Sequence, residues 1–586
     1  MANIIKRNKH RILFIATISL IFCFSLFANK IAVGHDNSFH INRLYGIVSA
    51  FQDGQFLPKL YPYTNNGYGY AIPLFYCDIF LYPFAFLFWL GVPLVKCYRL
   101  MIIFYAVLTI ISIFYCSSKI FESSHLAPYI TTILYTFCNY HLYDFYLRHA
   151  LGENMAFVFI PFVLLSCYYV LVQHKNKWIL LGLSFSFLCF SHLISFIFYC
   201  FVFLIFIIVF IIYNRKNKEL LKRILLTILK AVILGTLLSA FYIFPLFEQL
   251  KSQEFNVTLY NGTFDITDTP SLLDLLLTPF TFLYKSQDIN KLYIFGLGYS
   301  FYIFDFLYVY ILAKKKNNVY MTTLFIVGNI AFLFSAGIIP FSKYLSFLNF
   351  FQFASRFNII AFPLLSFTIT YSLIKINIKY EVPFIILIFV YSCVNAFIIQ
   401  KDQLTLGNHY YDNQTHNEIF DFSEKLDSWY YNVREMSMGD YLPTTYVVNY
   451  LLDSQTIKII NNEDSSYYDA CGVNNLPIEY TRRGSKIEFN WESKEYPDTI
   501  MVPLTYYKGY SIYAIDDNGN KQSLKYKMVY QYKQVAFETL VGKYTYSVHY
   551  DGTKIQNISL LISTLSFLSL SVFYILKRRD AHALYK

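Results

Sequence analysis

Residues 34–55 read GHDNSFHINRLYGIVSAFQDGQ and follow directly after the first long apolar run of the chain. Asp36, His40 and Arg43 stand at i, i+4 and i+7, so a helix places them on one face. That set can do chemistry. The carboxylate can act as general base or hold a divalent cation (Mg2+ or Mn2+) through oxygen, and the guanidinium can bind phosphate oxygens. His40 can orient Asp36 or donate to a leaving phosphate. The plainer alternative stands beside it: Asp36 caps the helix that begins near Asn37, and His40 and Arg43 form a solvated face. Asp53, in QDGQ, reads as a turn residue.

Further ionisable residues border apolar runs: Arg148, His149 and Glu153 in LRHALGEN, His192 in FSHLIS, Glu248 in YIFPLFEQL and Arg356 in FFQFASRF. An ionisable residue at membrane depth is costly and reads as functional by default. Structural roles remain open for each. Glu153 suits the first turn of a helix, His192 a hydrogen-bonded turn, Glu248 the end of a span and Arg356 a snorkelling position. The functional role for Glu153 is a second acid or metal ligand. Tyr68 and Tyr70, in TNNGYGYAIPLFY, offer ring faces for a sugar or a lipid tail, against a background of 60 Phe and 55 Tyr.

The elements that must position these residues follow from composition. The chain has 586 residues, is 56% hydrophobic and 15% charged. Apolar runs of about 20 residues, each long enough to cross a bilayer, recur from Ile12 to Ile399, and one more follows near the end. The class is a polytopic α-helical membrane protein. The formal charge of +11 sits in short clusters between apolar runs, which reads as topology rather than nucleic-acid binding. The ten cysteines show no CxxC or zinc spacing, and Cys471 stands alone in the large polar region. No P-loop, GxSxG or HExxH motif is present, so ATP-driven transport and standard hydrolase chemistry get no support.

The basic stretch KRNKHR (Lys6–Arg11) places the N-terminus in the cytoplasm. If residues 71–90, with Asp78, Pro73 and Pro83, lie along the outer surface as an interfacial or re-entrant helix, the other basic clusters all fall inside. About twelve spans then alternate correctly, the first at 12–33 and another at 126–145, with both termini cytoplasmic. The organisation is a transmembrane domain over 1–400 with an outer loop at 34–97, an extracytoplasmic region at 401–556, and a last span and tail at 557–586. The first third of 401–556, including HNEIFDFSEKLDSW, reads as helix and loop. From about Thr456, short alternating segments between turn signals such as RRGS, DDNGN and YDGT predict a small antiparallel β-sandwich. This topology gathers the ionisable residues on the outer side, none of which was used to set it.

Several stretches together resemble a known family. GHDNSFHINRL resembles an Asp-then-His-then-Arg opening; DGQFLPKLYPYTNNGYGYAIPLFY, RHALGENMAFVFIPFVLL, SHL, YIFPLFEQ and FFQFASRFN resemble its later motifs; LTYYKGYSIY and VGKYTYSVHYDGT resemble strands of its outer domain. The arrangement is similar to the GT-C superfamily of membrane glycosyltransferases, and within it to bacterial YfhO-like and "6-pyruvoyl-tetrahydropterin synthase-related" membrane proteins, a label that implies no pterin chemistry here. The departures are Lys59 where Arg is usual, and Ala354-Ser355 in place of Pro-Trp beside Arg356.

The resemblance implies a GT-C-like fold and transfer of a sugar from a polyprenyl-phosphate donor to a cell-envelope glycopolymer or glycolipid at the outer face of the plasma membrane. It implies Asp36 as base, and Arg356 with Arg43 or Arg148 as receivers of the phosphate charge. His40, His149, His192, Glu248, Tyr68 and Tyr70 are then candidates for substrate binding. The rival readings are a transporter or flippase of an envelope lipid, which expects charges near the midplane, and a non-catalytic envelope-assembly scaffold, for which Asp36 is dispensable.

Overall fold

Long apolar runs become long helices, even where a proline stands inside them, as Pro161, Pro245 and Pro363 do. The computed structural model describes residues 2–28, 31–32, 34–65, 67–259, 299–336, 351–376, 381–405, 410–411, 441–443, 457–460, 473–474, 478–529 and 533–583. Among them, six helices are long and apolar enough to cross a membrane: Leu94–Ile120, Leu151–Val172, Leu193–Tyr213, Lys218–Ser252, Ala354–Ile376 and Lys554–Lys577. Shorter apolar helices run over Trp178–Ser191, Val319–Ser335 and Ile385–Lys401. The chain is a helical membrane protein with a sheet region towards its C-terminal end.

Six full-length helices stand where hydropathy counts about twelve spans. Residues 292–298 and 337–338, parts of two expected spans, lie outside the described residues, as do 416–429 and Cys471. The shorter helices Trp178–Ser191, Val319–Ser335 and Ile385–Lys401 stand in three further apolar runs, and two expected spans, at 12–33 and 126–145, are interrupted. The expected span at 12–33 is a helix that ends at Phe22, a 3-10 turn Phe24–Phe27 and a short strand Ile31–Ala32 paired with Tyr410–Tyr411. Gln400 closes the break: its Nε2 donates to Ile21 O at 2.9 Å and its Oε1 accepts from Ser25 N at 2.9 Å. The run 126–145 is likewise broken into Ala127–Thr136, Asn139–Tyr143 and a π-helical turn Asp144–Arg148. Residues 71–90 form two short helices, Ile72–Phe75 and Tyr82–Trp89. The longer of them reaches about 12 Å, far short of the roughly 30 Å hydrocarbon layer.

Two compact units emerge. The first comprises 1–38, 95–236 and 260–418. Its axis is the buried helix Asn358–Ile376, packed on Val319–Ser335, Tyr299–Ala313 and Ala127–Thr136. Thr131 and Thr370 share a hydrogen bond of 3.0 Å along that seam. Gly328 permits the closest approach, since a Cβ there would stand 2.9 Å from Leu365.

The second unit comprises 39–94, 237–259 and 419–586. Its sheet region is two five-stranded antiparallel sheets. Chain alternation aims Ile487, Phe489, Ile512, Tyr546 and Val548 inward from one sheet, against Ile500, Val502, Leu504 and Phe537 from the other. Phe537 meets Phe489 at 6.3 Å and Tyr546 at 5.5 Å between ring centroids, so the sheets pack face to face. The loop before residue 71 is stitched to this sandwich: Thr505 N donates to Tyr68 O at 2.8 Å and Arg482 Nη2 to Pro62 O at 2.6 Å.

Candidate functional site

In the first unit the π-turn Asp144–Arg148 is the element that builds the site. It ends at His149, held in the left-handed region at φ 54°, and the helix Leu151–Cys167 then starts with Glu153 in its first turn. This geometry turns Asp144, Arg148 and Glu153 toward one point. Arg148 Nη1 lies 2.8 Å from Asp144 Oδ1 and 3.0 Å from Glu153 Oε1. The turn before Asn358–Ile376 delivers Arg356, whose Nε donates to the same Glu153 Oε1 at 2.9 Å. Glu153 Oε2 accepts from Tyr140 OH at 2.6 Å. Arg356 Nη1 also donates to Gln352 Oε1 at 2.6 Å and Phe351 O at 3.2 Å. The Phe353 ring serves both guanidiniums, at 4.8 Å from Arg148 and 4.1 Å from Arg356.

All four side chains, two guanidiniums and two carboxyl groups, are buried. A fifth group stands at their edge. Asp36 Oδ2 lies 3.6 Å from Arg148 Nη2, and its side chain is 37% exposed where those of Asp144 and Glu153 are 0% and 1%. The Asp36 backbone N–H is fixed to Arg148 O at 2.9 Å. The described carboxylate contact is therefore the guanidinium rather than the first N–H groups of helix Asn37–Gln52. Behind it, Gly34 leaves room for His149: a Cβ at Gly34 would stand 2.2 Å from the imidazole Cδ2. His149 is buried, and neither ring nitrogen has a partner among the described residues. Burial, aided by nearby His35, lowers its pKa to about 4, so the ring is neutral.

His40 and Arg43 belong to a different cluster, in the second unit. Arg43 is fully buried. Its Nε and Nη2 donate to Asp78 Oδ1 at 2.9 and 2.6 Å, its Nη2 also to Cys77 O at 2.9 Å, and its Nη1 meets His40 Nδ1 at 3.2 Å. The Tyr76 ring covers the guanidinium at 4.2 Å, and Tyr61 OH donates to the other carboxylate oxygen of Asp78. Burial raises the Asp78 pKa above the usual carboxylate range, with Arg43 and Tyr61 partly offsetting it. Burial alone would depress Arg43, but Asp78 and the flanking tyrosines outweigh it and hold the guanidinium above its ordinary value.

The remaining candidates make other contacts, and His192 stands within electrostatic reach of Glu153. His192 Nδ1 meets Ser195 Oγ at 2.7 Å and accepts from Ser195 N, capping the helix Leu193–Tyr213. Glu248 pairs with Lys508 at 3.2 Å and accepts from Thr553 Oγ1. Tyr70 is buried, and its OH accepts from Tyr441 N at 3.1 Å. Tyr68 lends its carbonyl to the sandwich. Several participants escaped the sequence reading, among them Asp144, Tyr140, Gln352 and Phe353 in the first cluster, and Tyr61, Tyr76 and Asp78 in the second. Asp144 carried a signal, an acid inside an apolar run and four residues before an arginine. Among the described residues no three His, Cys, Asp or Glu side chains are placed to hold a metal ion. The nearest charged group to Asp36 there is a guanidinium, which opposes a cation.

No protein-family profile matches the chain. A similar protein, an uncharacterized protein of Lactococcus lactis subsp. cremoris (strain MG1363), is 27% identical, over 98% of this chain and 97% of its own length. Among solved structures, the arabinofuranosyltransferase AftD from mycobacteria aligns with a TM-score of 0.39 and 14% identity, over 68% of this chain and 27% of its own.

Proposed function

We propose that this chain is a membrane glycosyltransferase of GT-C type, transferring a sugar from a polyprenyl-phosphate donor to a cell-envelope glycopolymer or glycolipid. The observation that supports it is the unequal use of charge in the first cluster. Two buried guanidiniums meet two buried carboxyl groups, and Asp36 is a third carboxyl side chain, the one that solvent reaches. In this reading Asp36 accepts the proton of an acceptor hydroxyl. That oxygen bonds to the anomeric carbon as the bond from carbon to phosphate oxygen breaks, and the electron pair leaves with the phosphate. Arg148 and Arg356 face the charge that develops there, in surroundings where a fixed donor acts strongly. Glu153 is a positioning residue: one of its oxygens ties both guanidiniums and the other is fixed by Tyr140. Arg43, enclosed by Asp78, positions the segment around it and takes no part in phosphate binding. No step passes through a cation. The proposal places the site on the outer face of the plasma membrane, with both termini cytoplasmic and 401–556 outside.

The test compares surface-polymer sugar composition in cells lacking the protein, rescued with wild type or Asp36→Asn at equal membrane abundance. The expected result is a missing sugar restored by wild type alone. Equal rescue by both would reject the reading.

A further inference from the structure

One face of the sandwich is unused by the site described above and is shaped as a groove. Outward-pointing residues of the sheet that contains 486–493, 510–515 and 542–550 form its floor. The register sets Glu488 opposite Ser547 and Ser547 opposite Tyr513, giving one continuous row of carboxylate, hydroxyl and phenol. His549 stacks on Tyr513 at 5.7 Å with 24° between the planes. The second wall is the segment from Asp53 to Leu60. It is tied at one end by Lys59 Nζ, which donates to Asp551 O at 2.9 Å and Asn557 Oδ1 at 2.6 Å. Tyr63 ties the other end, donating to Asp53 Oδ1 at 3.1 Å and accepting from Gly484 N at 2.9 Å. The enclosed volume is about 1000 Å³, at the upper end for small-molecule pockets.

The lining selects a class of ligand. Lys59, Arg483, Lys486 and Lys521 face Asp53, Glu488 and Asp551, four cations against three carboxylates. So even a balance does not attract a polyanion, and so many polar groups do not suit an acyl chain or an apolar helix. Two polar atoms in the lining, Asp53 Oδ2 and His549 Nδ1, have no partner among the described residues although both are shielded from bulk solvent. A polyol fits: its hydroxyls both donate and accept, and its C–H face lies flat on a phenol ring.

We infer that this groove binds a segment of an uncharged oligosaccharide, with Tyr513 as the platform and Glu488, Ser547 and His549 as its hydrogen-bonding row. Resting on the function proposed above, this glycan is the acceptor, held by the sandwich. The test is calorimetric titration of the full chain in lipid nanodiscs with size-fractionated neutral oligosaccharides released from the envelope polymer of the cells that make the protein. Wild type binds. Tyr513→Ala and Glu488→Gln each weaken binding about tenfold or more, which corresponds to about 1.4 kcal/mol, Tyr513→Phe stays close to wild type, and Lys527→Ala on the other sheet changes nothing. No binding by wild type, or Tyr513→Ala and Glu488→Gln both binding as wild type, overturns the inference. So does preference for a polyol-phosphate polymer that salt abolishes. Asp36→Asn separates the two proposals. If it binds the oligosaccharide and fails to transfer, both stand. If it transfers normally while Tyr513→Ala loses binding, the groove stands and the assignment of Asp36 falls.

Discussion

Residues 34–55 contribute to both buried arginine clusters, Asp36 to one and His40 and Arg43 to the other, and the two clusters use their charges differently. Around Arg43, one guanidinium meets one carboxylate, a carbonyl, an imidazole and a ring face, and its side chain has no exposure at all. Around Arg148 and Arg356, two carboxyl groups are buried, yet one more, Asp36, stays at the edge with over a third of its side chain exposed. A closed ion pair at such cost in desolvation fixes the path of a chain. A buried cluster with one further, reachable acid is equipped to accept a proton while its arginines face an anion. Burial alone does not separate structural charge from functional charge; the reachable acid does.

The comparison breaks if the two acids behave alike. Asp36→Asn should lower sugar transfer by about 10²–10⁴-fold, the range for a general base, and leave the thermal midpoint near wild type. Asp78→Asn should do the reverse. It leaves Arg43 buried and unpaired, at about 3–5 kcal/mol, and activity falls only with the amount of folded protein in the membrane. Transfer assays normalised to abundance, beside thermal unfolding in nanodiscs, read both. A smaller effect sharpens the reading within the first cluster. Arg356→Lys keeps the charge and loses the planar fork that serves Glu153, Gln352 and Phe351 together. Transfer should fall about tenfold with abundance unchanged, through kcat rather than acceptor KM.

The same residues show what a sequence discloses. The membrane class and helices such as Leu193–Tyr213 follow from unbroken apolar runs. The two sheets follow from period-two alternation between turn signals. The end of the first helix at Phe22 was not legible, because Gln400 caps the break from 375 residues or more away. At the site, Asp36, Arg148, Glu153 and Arg356 were each conspicuous as ionisable residues beside apolar runs. Their shared contact was not, since it depends on a π-turn that spacing rules for regular helices do not anticipate. The i, i+4, i+7 spacing holds for His40 and Arg43, which do meet. It misleads for Asp36, which lies before the helix begins and takes its contact from Arg148.

Gly34→Ala tests how Asp36 is held. The new methyl collides with His149 and with Leu147 O, which a Cβ would approach to 2.8 Å. A cost of about 1–3 kcal/mol is expected, with transfer reduced beyond the loss of folded protein because Asp36 is displaced.

The last effect concerns His149 and acid. Its folded pKa of about 4 lies below the roughly 6.5 of an unfolded chain. Between those values the unfolded state binds a proton that the folded state refuses, so stability is complete above about pH 6.5 and falls as pH drops toward 4, by about 3 kcal/mol. Asp78 acts in the opposite direction: its raised pKa makes the folded state the better proton binder above the usual carboxylate value, so that contribution weakens as pH rises. The wild-type curve therefore mixes both clusters, and a difference measurement separates them. His149→Asn tolerates the left-handed backbone and does not titrate. Subtracting its unfolding free energy from that of wild type at pH 7, 6, 5 and 4 should leave a slope of the His149 sign alone. His35, also lowered by burial, remains in both proteins, so its own desolvation cancels and only its coupling to His149 stays in the difference. A flat difference would show that His149 titrates alike in the folded and unfolded chain, and the closed pocket behind Asp36 would then have to be an open one.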